Sequence, residues 1–221
     1  MKIQFYKTET TYQGKLYKIL TPVSPLTEIY VASSRRTACL FGNKADYIKL
    51  AALFTLLTEV KDMIIYLPTG KNHDDYLRHA WLEVPHFSDV VICHHRTQLK
   101  RGTFKQLKQR LSKKNLVSFK IEHMKFADLT FDEKFWHKEN KDLLDFDLQN
   151  DTLFLVGSAK IFKHLAWECL KFRVGVSDPP YMSHTHLYAY MRNGVAVDED
   201  AQFCFYDKIW WKKWLDGQEE G

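Results

Sequence analysis

Cations, hydroxyls and amides recur in the turns that follow the apolar segments of this chain, and these are the groups that bind phosphate. The four turns are Ser33-Ser34-Arg35-Arg36-Thr37, Thr69-Gly70-Lys71-Asn72-His73, His94-His95-Arg96-Thr97 and Gly157-Ser158-Ala159-Lys160. Helix N-termini and cationic side chains stabilise a bound anion together. The pattern predicts phosphate contacts from Ser33, Ser34, Arg35, Arg36, Lys71, Ser158 and Lys160. None of the turns is a Walker loop or a dinucleotide fingerprint, and the same residue types are common at ordinary helix starts.

Positive charge is concentrated between Val90 and Ile121. This stretch has nine basic residues and no Asp or Glu, whereas the rest of the chain has 23 basic and 27 acidic residues. A patch of one sign attracts partners of the opposite sign. We predict a basic helix from Thr97 to Lys114 that binds a nucleic-acid backbone, with contacts from Arg96, Lys100, Arg101, Lys105 and Lys108. The alternative is an ordinary solvated helix.

Two histidines could take part in catalysis. His94 and His95 follow an apolar strand directly and precede Arg96. Neighbouring cations lower the pKa of an imidazole, and the neutral form is the one that acts as a general base. Cys93 is interpreted as a buried strand end rather than as a thiolate nucleophile. No G-x-S-x-G or H-E-x-x-H motif occurs, so the sequence leaves open whether the protein is an enzyme.

A metal site has weak support in the sequence. His184-Thr185-His186 would place two imidazoles on one face of a strand, but no third ligand is defined. The acidic segment from Asp128 to Asp151 lacks the spacing of a calcium loop and is interpreted as a solvated connection. We therefore predict neither a metal nor a cofactor, and leave open whether His184 and His186 bind a metal.

Strands and helices alternate in the segments that would position these groups. Strands are predicted at 28–32, 63–67, 90–92, 116–121 and 152–156. Helices are predicted at about 35–61, with a break near Gly42-Asn43, and at about 74–84, 97–114 and 159–172. This alternation is typical of βαβ units. We predict an α/β fold with a mostly parallel, open, Rossmann-like sheet, preceded by an N-terminal β-hairpin around Gln13-Gly14. In such a sheet a ligand lies beyond the carboxyl ends of the strands, where the four turns would meet.

The chain is expected to have two parts. An α/β domain with the hairpin covers residues 1–173, and a small aromatic-rich lobe with Trp210, Trp211 and Trp214 covers residues 174–221. No apolar window is long enough to span a bilayer, the N-terminus lacks the apolar region of a signal peptide, and the four cysteines form no CxxC pair. These features predict a cytoplasmic protein with no membrane partner. Its oligomeric state stays open.

One short stretch resembles a known group of folds. The run Lys15-Leu16-Tyr17-Lys18, followed by the segment from Ile29 to Gly42, is similar to the first strand, the second strand and the following helix of ADP-ribosyltransferase-like, NAD-handling folds. The resemblance implies an enzyme that acts on NAD or a nucleotide. Lys18 stands where these folds typically have Arg or His, and no Glu of this chain is assigned to their later catalytic position.

Three functions are consistent with these observations. The first is binding of a phosphate-bearing partner, above all nucleic acid, through the basic helix and the strand-end turns. The second is a nucleotide- or NAD-processing enzyme, ADP-ribosyltransferase-like or Rossmannoid, with His94 or His95 as acid or base. The third is a protein-interaction or inhibitor module that meets an acidic protein partner, with the tryptophan cluster as its anchor.

Overall fold

The computed structural model describes residues 1–34, 37–75, 77, 87–121, 144–172, 184–188, 200–209 and 212. At 33, 34, 37, 184–188, 200 and 201 it describes the backbone alone. Most of the predicted helix at 74–84, most of the acidic connection and the tryptophan cluster of the predicted lobe lie outside these residues.

Two sheets make up the strand structure of the described chain. The large sheet has seven strands in the order β7-β1-β2-β5-β6-β9-β8, and the small sheet has four in the order β10-β11-β4-β3. Their bounds are β1 Lys2–Tyr12, β2 Lys15–Pro22, β3 Tyr30–Ser34, β4 Thr37–Gly42, β5 Met63–Leu67, β6 Asp89–His94, β7 Leu116–Lys120, β8 Asp145–Gln149, β9 Thr152–Gly157, β10 His184–Tyr188 and β11 Asp200–Phe205. The predicted N-terminal hairpin is confirmed, because β1 and β2 pair antiparallel around Gln13 and Gly14.

The large sheet is mixed. The α/β class is confirmed, but the prediction of a mostly parallel sheet was wrong, and a Rossmann-like arrangement is unconfirmed. Within this sheet β2 pairs parallel with β5 and β6 pairs parallel with β9, while the other four pairs are antiparallel. The decisive reversal lies between β5 and β6, whose connection begins with a 3₁₀ helix, Thr69–Lys71.

The described α-helices are α1 Lys44–Glu59, α2 Phe104–Lys108 and α3 Ala159–Lys171. The predicted helix at 35–61 was wrong in its first part, where β4 forms instead. Both faces of β4 are buried, since Leu40 packs in the main core and Phe41 in a second cluster. A strand buried on both faces has a continuous apolar run that resembles a buried helix. α1 begins only after Asn43, whose side-chain oxygen accepts a hydrogen bond from the Asp46 N–H at 2.9 Å.

None of the described helices combines the length and the apolar composition that crossing a lipid bilayer requires.

The main core is shared by α1, α3 and both sheets. The buried Tyr47 hydroxyl on α1 donates to the backbone oxygens of Leu40 (2.6 Å) and Cys204 (2.9 Å), which belong to β4 and β11. Phe54 on α1 stacks with Phe162 on α3 at 5.9 Å and with Phe203 on β11 at 6.1 Å between ring centroids. α1 is therefore a central helix that holds the small sheet against the rest of the molecule.

The strand predicted at 28–32 was expected in the main sheet, but it is β3 of the small sheet. β3 pairs antiparallel with β4, and β4 pairs parallel with β11. β11 thus joins the predicted C-terminal lobe to strands from the first fifth of the chain. The division at residue 173 stays a prediction.

Residues 95–114, called here the basic segment, cover the face of the large sheet that is opposite to α1 and α3. The predicted continuous helix from Thr97 to Lys114 was wrong: the segment consists of 3₁₀ turns at His95–Thr97 and Arg101–Thr103 and the short α2. Gln98 has a left-handed backbone (φ 43°), which ends the first turn. Phe104 and Leu107 are buried in the cluster formed on this face of the sheet. Phe104 packs edge-on against Phe154, with ring centroids 5.8 Å apart.

Leu107→Ala should lower the free energy of unfolding by about 2–5 kcal/mol, because it removes a fully buried side chain that anchors the basic segment. Leu116→Ala is the control: this side chain is 57% exposed on β7, and its loss should change the free energy by less than about 0.5 kcal/mol. Urea denaturation measures both. Equally small effects would show that the basic segment is not docked on the sheet.

Candidate functional site

The basic segment presents cations on its outer surface while Phe104 and Leu107 face the sheet. Its exposed basic side chains are Arg96, Lys100, Lys105, Lys108, Arg110, Lys113 and Lys114. Within the described part of the chain, no ion pair is recorded for Arg96, Lys100, Lys105, Lys113 or Lys114. Most basic side chains of the segment are therefore exposed, although the continuous helix that was expected to present them does not form.

Two of the residues predicted to contact nucleic acid form ion pairs within the protein. The Arg101 guanidinium bridges Asp145 and Asp147 on β8, with Nη1 2.8 Å from the Asp147 Oδ2. The Lys108 ammonium pairs with the Asp89 carboxylate at the start of β6. Because their charges are matched by carboxylates, Arg101 and Lys108 are poor candidates for phosphate contacts. They fix the basic segment to the sheet.

Asp89 forms a buried polar cluster under α2. Its Oδ2 accepts from the Tyr66 hydroxyl at 2.8 Å and from Lys108, and its Oδ1 accepts from the Gly70 N–H at 2.9 Å. Burial raises the pKa of Tyr66, and the Asp89 charge raises it further. The phenol therefore stays protonated and donates to the carboxylate, which satisfies a charge that is otherwise costly to bury.

The mixed sheet separates the four strand-end turns. His94 and Gly157 are paired in register at the carboxyl ends of β6 and β9, so the turns that follow these residues lie at the same end of the strands. β5 runs in the opposite direction, which places the turn after Leu67 at the other end of the strands, beside Asp89. The first turn belongs to the small sheet, and Arg35, Arg36 and the side chains of Ser33 and Ser34 lie outside what the structure describes. One crevice shared by all four turns does not form.

The polar groups of these turns have partners within the protein. The Thr69 hydroxyl donates to the Ser88 oxygen at 2.7 Å, and the Asn72 amide donates to the oxygens of Leu26 and Ile29. The Ser158 hydroxyl oxygen accepts from the Ile161 N–H at 3.2 Å as the N-cap of α3. These groups hold turns and helix ends in place. Lys71 and Lys160 are exposed.

The geometry of His94 does not favour the role of a general base. The ring is 3% exposed, lies 4.2 Å from the His95 ring between centroids, and accepts a hydrogen bond on Nδ1 from the Arg96 N–H at 3.1 Å. Burial lowers the pKa of His94 to about 4, with smaller contributions from His95, Lys61 and Arg96. The neutral ring therefore uses its basic nitrogen inside the protein. His95 is exposed.

Cys93 is fully buried, and burial raises the pKa of its thiol to about 11. The interpretation of this residue as a strand end rather than as a thiolate nucleophile therefore agrees with its surroundings.

A cavity of about 480 Å³ lies between α2 and the turn that joins β8 to β9. Its lining consists of Arg101, Phe104, Lys105, Lys108, Gln109, Gln149, Asn150, Asp151, Thr152 and Phe154. The sequence pattern predicted contacts from the three cations of this lining but none from its amides. Asn150 and Asp151 both have left-handed backbones, with φ of 49° and 56°. An Asn-Asp pair between two apolar-patterned runs is a hairpin signal that could have placed this turn.

Other predicted features have less support in the described structure. Lys18, at the position that the ADP-ribosyltransferase-like resemblance makes important, pairs with Asp62 at 2.5 Å, and Thr37–Gly42 is a strand where the resemblance implies a helix. No group of three metal-ligating side chains occurs in the described part of the chain. The side chains of His184 and His186 are outside it.

Lowering the pH should destabilise the protein through His94. The folded protein binds this proton only near pH 4, whereas the unfolded chain binds it near pH 6.5, so the unfolded state takes up more protons between these values. The free energy of unfolding should therefore fall by about 2–3 kcal/mol between pH 6.5 and about pH 4.5 on account of this one residue. Urea denaturation of wild type and His94→Asn at both pH values isolates the contribution.

In His94→Asn the side-chain oxygen can still accept from the Arg96 N–H, but nothing titrates, so this part of the pH dependence should disappear. His95→Asn retains His94 and should keep most of this pH dependence. If His94→Asn and wild type lose stability equally on acidification, His94 is not held neutral by the fold.

The comparisons with known proteins do not assign the chain to a family. No protein-family model matches it, and no curated protein or solved structure is significantly similar to it. A functional proposal therefore depends on the geometry of the described residues.

Proposed function

We propose that the protein binds nucleic acid through the outer surface of the basic segment. The observation that carries this proposal is the set of exposed cations with no ion pair to a described acid, presented by a segment that is docked on the sheet. The set consists of Arg96, Lys100, Lys105, Lys113 and Lys114, with Arg110 beside them. Arg96, Lys100 and Lys105 keep the role predicted from sequence.

The arrangement of these cations suits a polyanion better than a single phosphate. At its start the basic segment is fixed by the Lys15 ammonium, which donates to the Thr97 oxygen at 2.6 Å. At its end the Ser112 N–H donates to the Thr8 hydroxyl oxygen on β1 at 2.9 Å. Between Arg101, which is paired with β8, and Ser112, which contacts β1, the segment crosses the sheet. The exposed cations along it are Arg96, Lys100, Lys105, Lys113 and Lys114. Repeated phosphates along a strand can occupy such a surface together.

Arg110 shows how the surface is held in place. Its guanidinium lies 5.3 Å from the centre of the Tyr12 ring and donates to the Thr11 oxygen at 2.8 Å. These contacts use part of the donor capacity of Arg110, but no described carboxylate neutralises its charge, so the group can still bind a phosphate. A cation that is already ordered loses less conformational entropy when a ligand binds.

The two alternative functions stay predictions. His94 gives little support to a nucleotide- or NAD-processing enzyme, because its basic nitrogen has a partner in the protein. An acidic protein partner would use the same cations, but the tryptophans that would anchor such an interface lie outside the described residues.

The double substitution Lys100→Glu with Lys105→Glu should weaken binding of a fluorescein-labelled single-stranded oligonucleotide at least about 10-fold at low salt. Removing two phosphate contacts should also reduce the slope of log K against log salt by about 1 to 2. Fluorescence anisotropy titrations from about 50 to about 250 mM KCl measure both quantities.

Lys44→Glu with Lys163→Glu is the matched control, because both lysines are exposed on α1 and α3 and the net charge changes equally. It should retain most of the affinity. Equal losses in the two variants would mean that net charge, not the basic segment, governs binding. Absence of binding at the lowest salt would make the proposed function wrong.

A further inference from the structure

We propose that the cavity between α2 and the β8–β9 turn binds one nucleobase of the nucleic acid held by the basic segment. This inference rests on the proposed function and adds to it a contact with the base, where the surface cations contact only phosphate. Lys105 belongs both to the exposed cations and to the cavity lining. A phosphate at Lys105 would place its own base or the next one at the mouth of the cavity.

The local charges argue against a phosphate as the guest of this cavity. Three cations line it, but Arg101 is matched by Asp145 and Asp147, and Lys108 is matched by Asp89. Asp151 adds a carboxylate to the wall itself. Among the described residues, these four carboxylates outnumber the three cations, and an anion gains little there. A neutral polar molecule avoids this cost.

The chemistry of the walls fits a nucleobase. Gln109, Gln149 and Asn150 contribute three exposed amides, each of which both donates and accepts hydrogen bonds. The aliphatic stems of the lysines supply apolar surface, and Phe104 and Phe154, which are only 2% and 1% exposed, close the inner wall. A nucleobase combines a flat apolar face with an edge of donors and acceptors, as this lining does. A volume of about 480 Å³ is in the usual range of small-molecule sites.

The walls are held in place before any ligand binds. The Arg101 fork joins the start of the basic segment to β8, and the Lys108–Asp89 pair joins the end of α2 to β6. On the other side, the Asp89 N–H donates to the Asp151 oxygen at 2.9 Å and so fixes the β8–β9 turn. A rigid site loses little entropy on binding.

The test compares a mixed-sequence single-stranded oligonucleotide with an abasic oligomer of the same length and charge, by anisotropy. Wild type should bind the base-bearing oligomer about 10-fold more tightly. Gln109→Ala with Asn150→Gly should lose most of that preference and keep the affinity for the abasic oligomer and its salt dependence. Glycine at 150 accepts the left-handed backbone, so the turn is retained.

Gln4→Ala with Gln13→Gly is the matched control. Gln4 is an exposed strand glutamine, and Gln13 is a left-handed turn residue with φ 50°, so the same chemical changes are made away from the cavity. This variant should keep the wild-type preference. Thermal unfolding of all three proteins shows whether the substitutions disturb the fold.

A second arm measures binding of the four neutral nucleosides by saturation-transfer NMR. Nucleoside signals that are seen with wild type and lost in Gln109→Ala with Asn150→Gly support base binding in the cavity. If these signals are seen but no oligomer binds, the proposed function alone is wrong. If oligomers bind without any preference for bases and no nucleoside signal is seen, the cavity does not bind a base and the proposed function is retained. If no oligomer binds and no nucleoside signal is seen, both the proposed function and base binding in the cavity are wrong.

Discussion

The burial of Phe104 and Leu107 against the large sheet is the interaction on which the surface of this protein depends. The basic segment has little regular structure, since its longest helix is the five-residue α2, and a helix of that length is not stable by itself in water. Apolar contact with the sheet therefore has to hold the segment in place. Once docked, it covers one face of the sheet and exposes Arg96, Lys100, Lys105, Lys113 and Lys114 on its outer side.

The two ion pairs next to this contact have a different effect from the exposed cations. Charges that are partly removed from water gain from a close partner and lose hydration, so such pairs are weak sources of net stability. Their geometry is nevertheless specific, because a guanidinium that bridges Asp145 and Asp147 fixes both the distance and the orientation of β8 relative to the basic segment. Arg101 and Lys108 thus order the surface, while Lys100 and Lys105 remain available to a ligand. Identical charges in one short stretch therefore serve two purposes.

The direction of β6 relative to β5 decides which groups meet. Had the two strands been parallel, the turns after Leu67 and His94 would lie at the same end of the strands, as predicted from the sequence. Their antiparallel pairing sends the first turn to Asp89 and leaves the second beside Gly157. Hydrophobic periodicity identifies strands but contains no information on strand direction. The same limit applies to β4, where an apolar run buried on both faces was interpreted as the start of a helix.

By itself the sequence determined the elements whose patterns are local: the hairpin around Gln13-Gly14, the strands at β5, β6, β7 and β9, the helix after Ser158, and the concentration of positive charge between Val90 and Ile121. Only the tertiary structure decided strand direction, the membership of β3 and β4 in a second sheet, and the pairing of Arg101 and Lys108 with acids far along the chain. The cavity beside α2 also depends on residues about 40 positions apart. Contacts of that range follow from packing and chain topology, which no local pattern of residues contains.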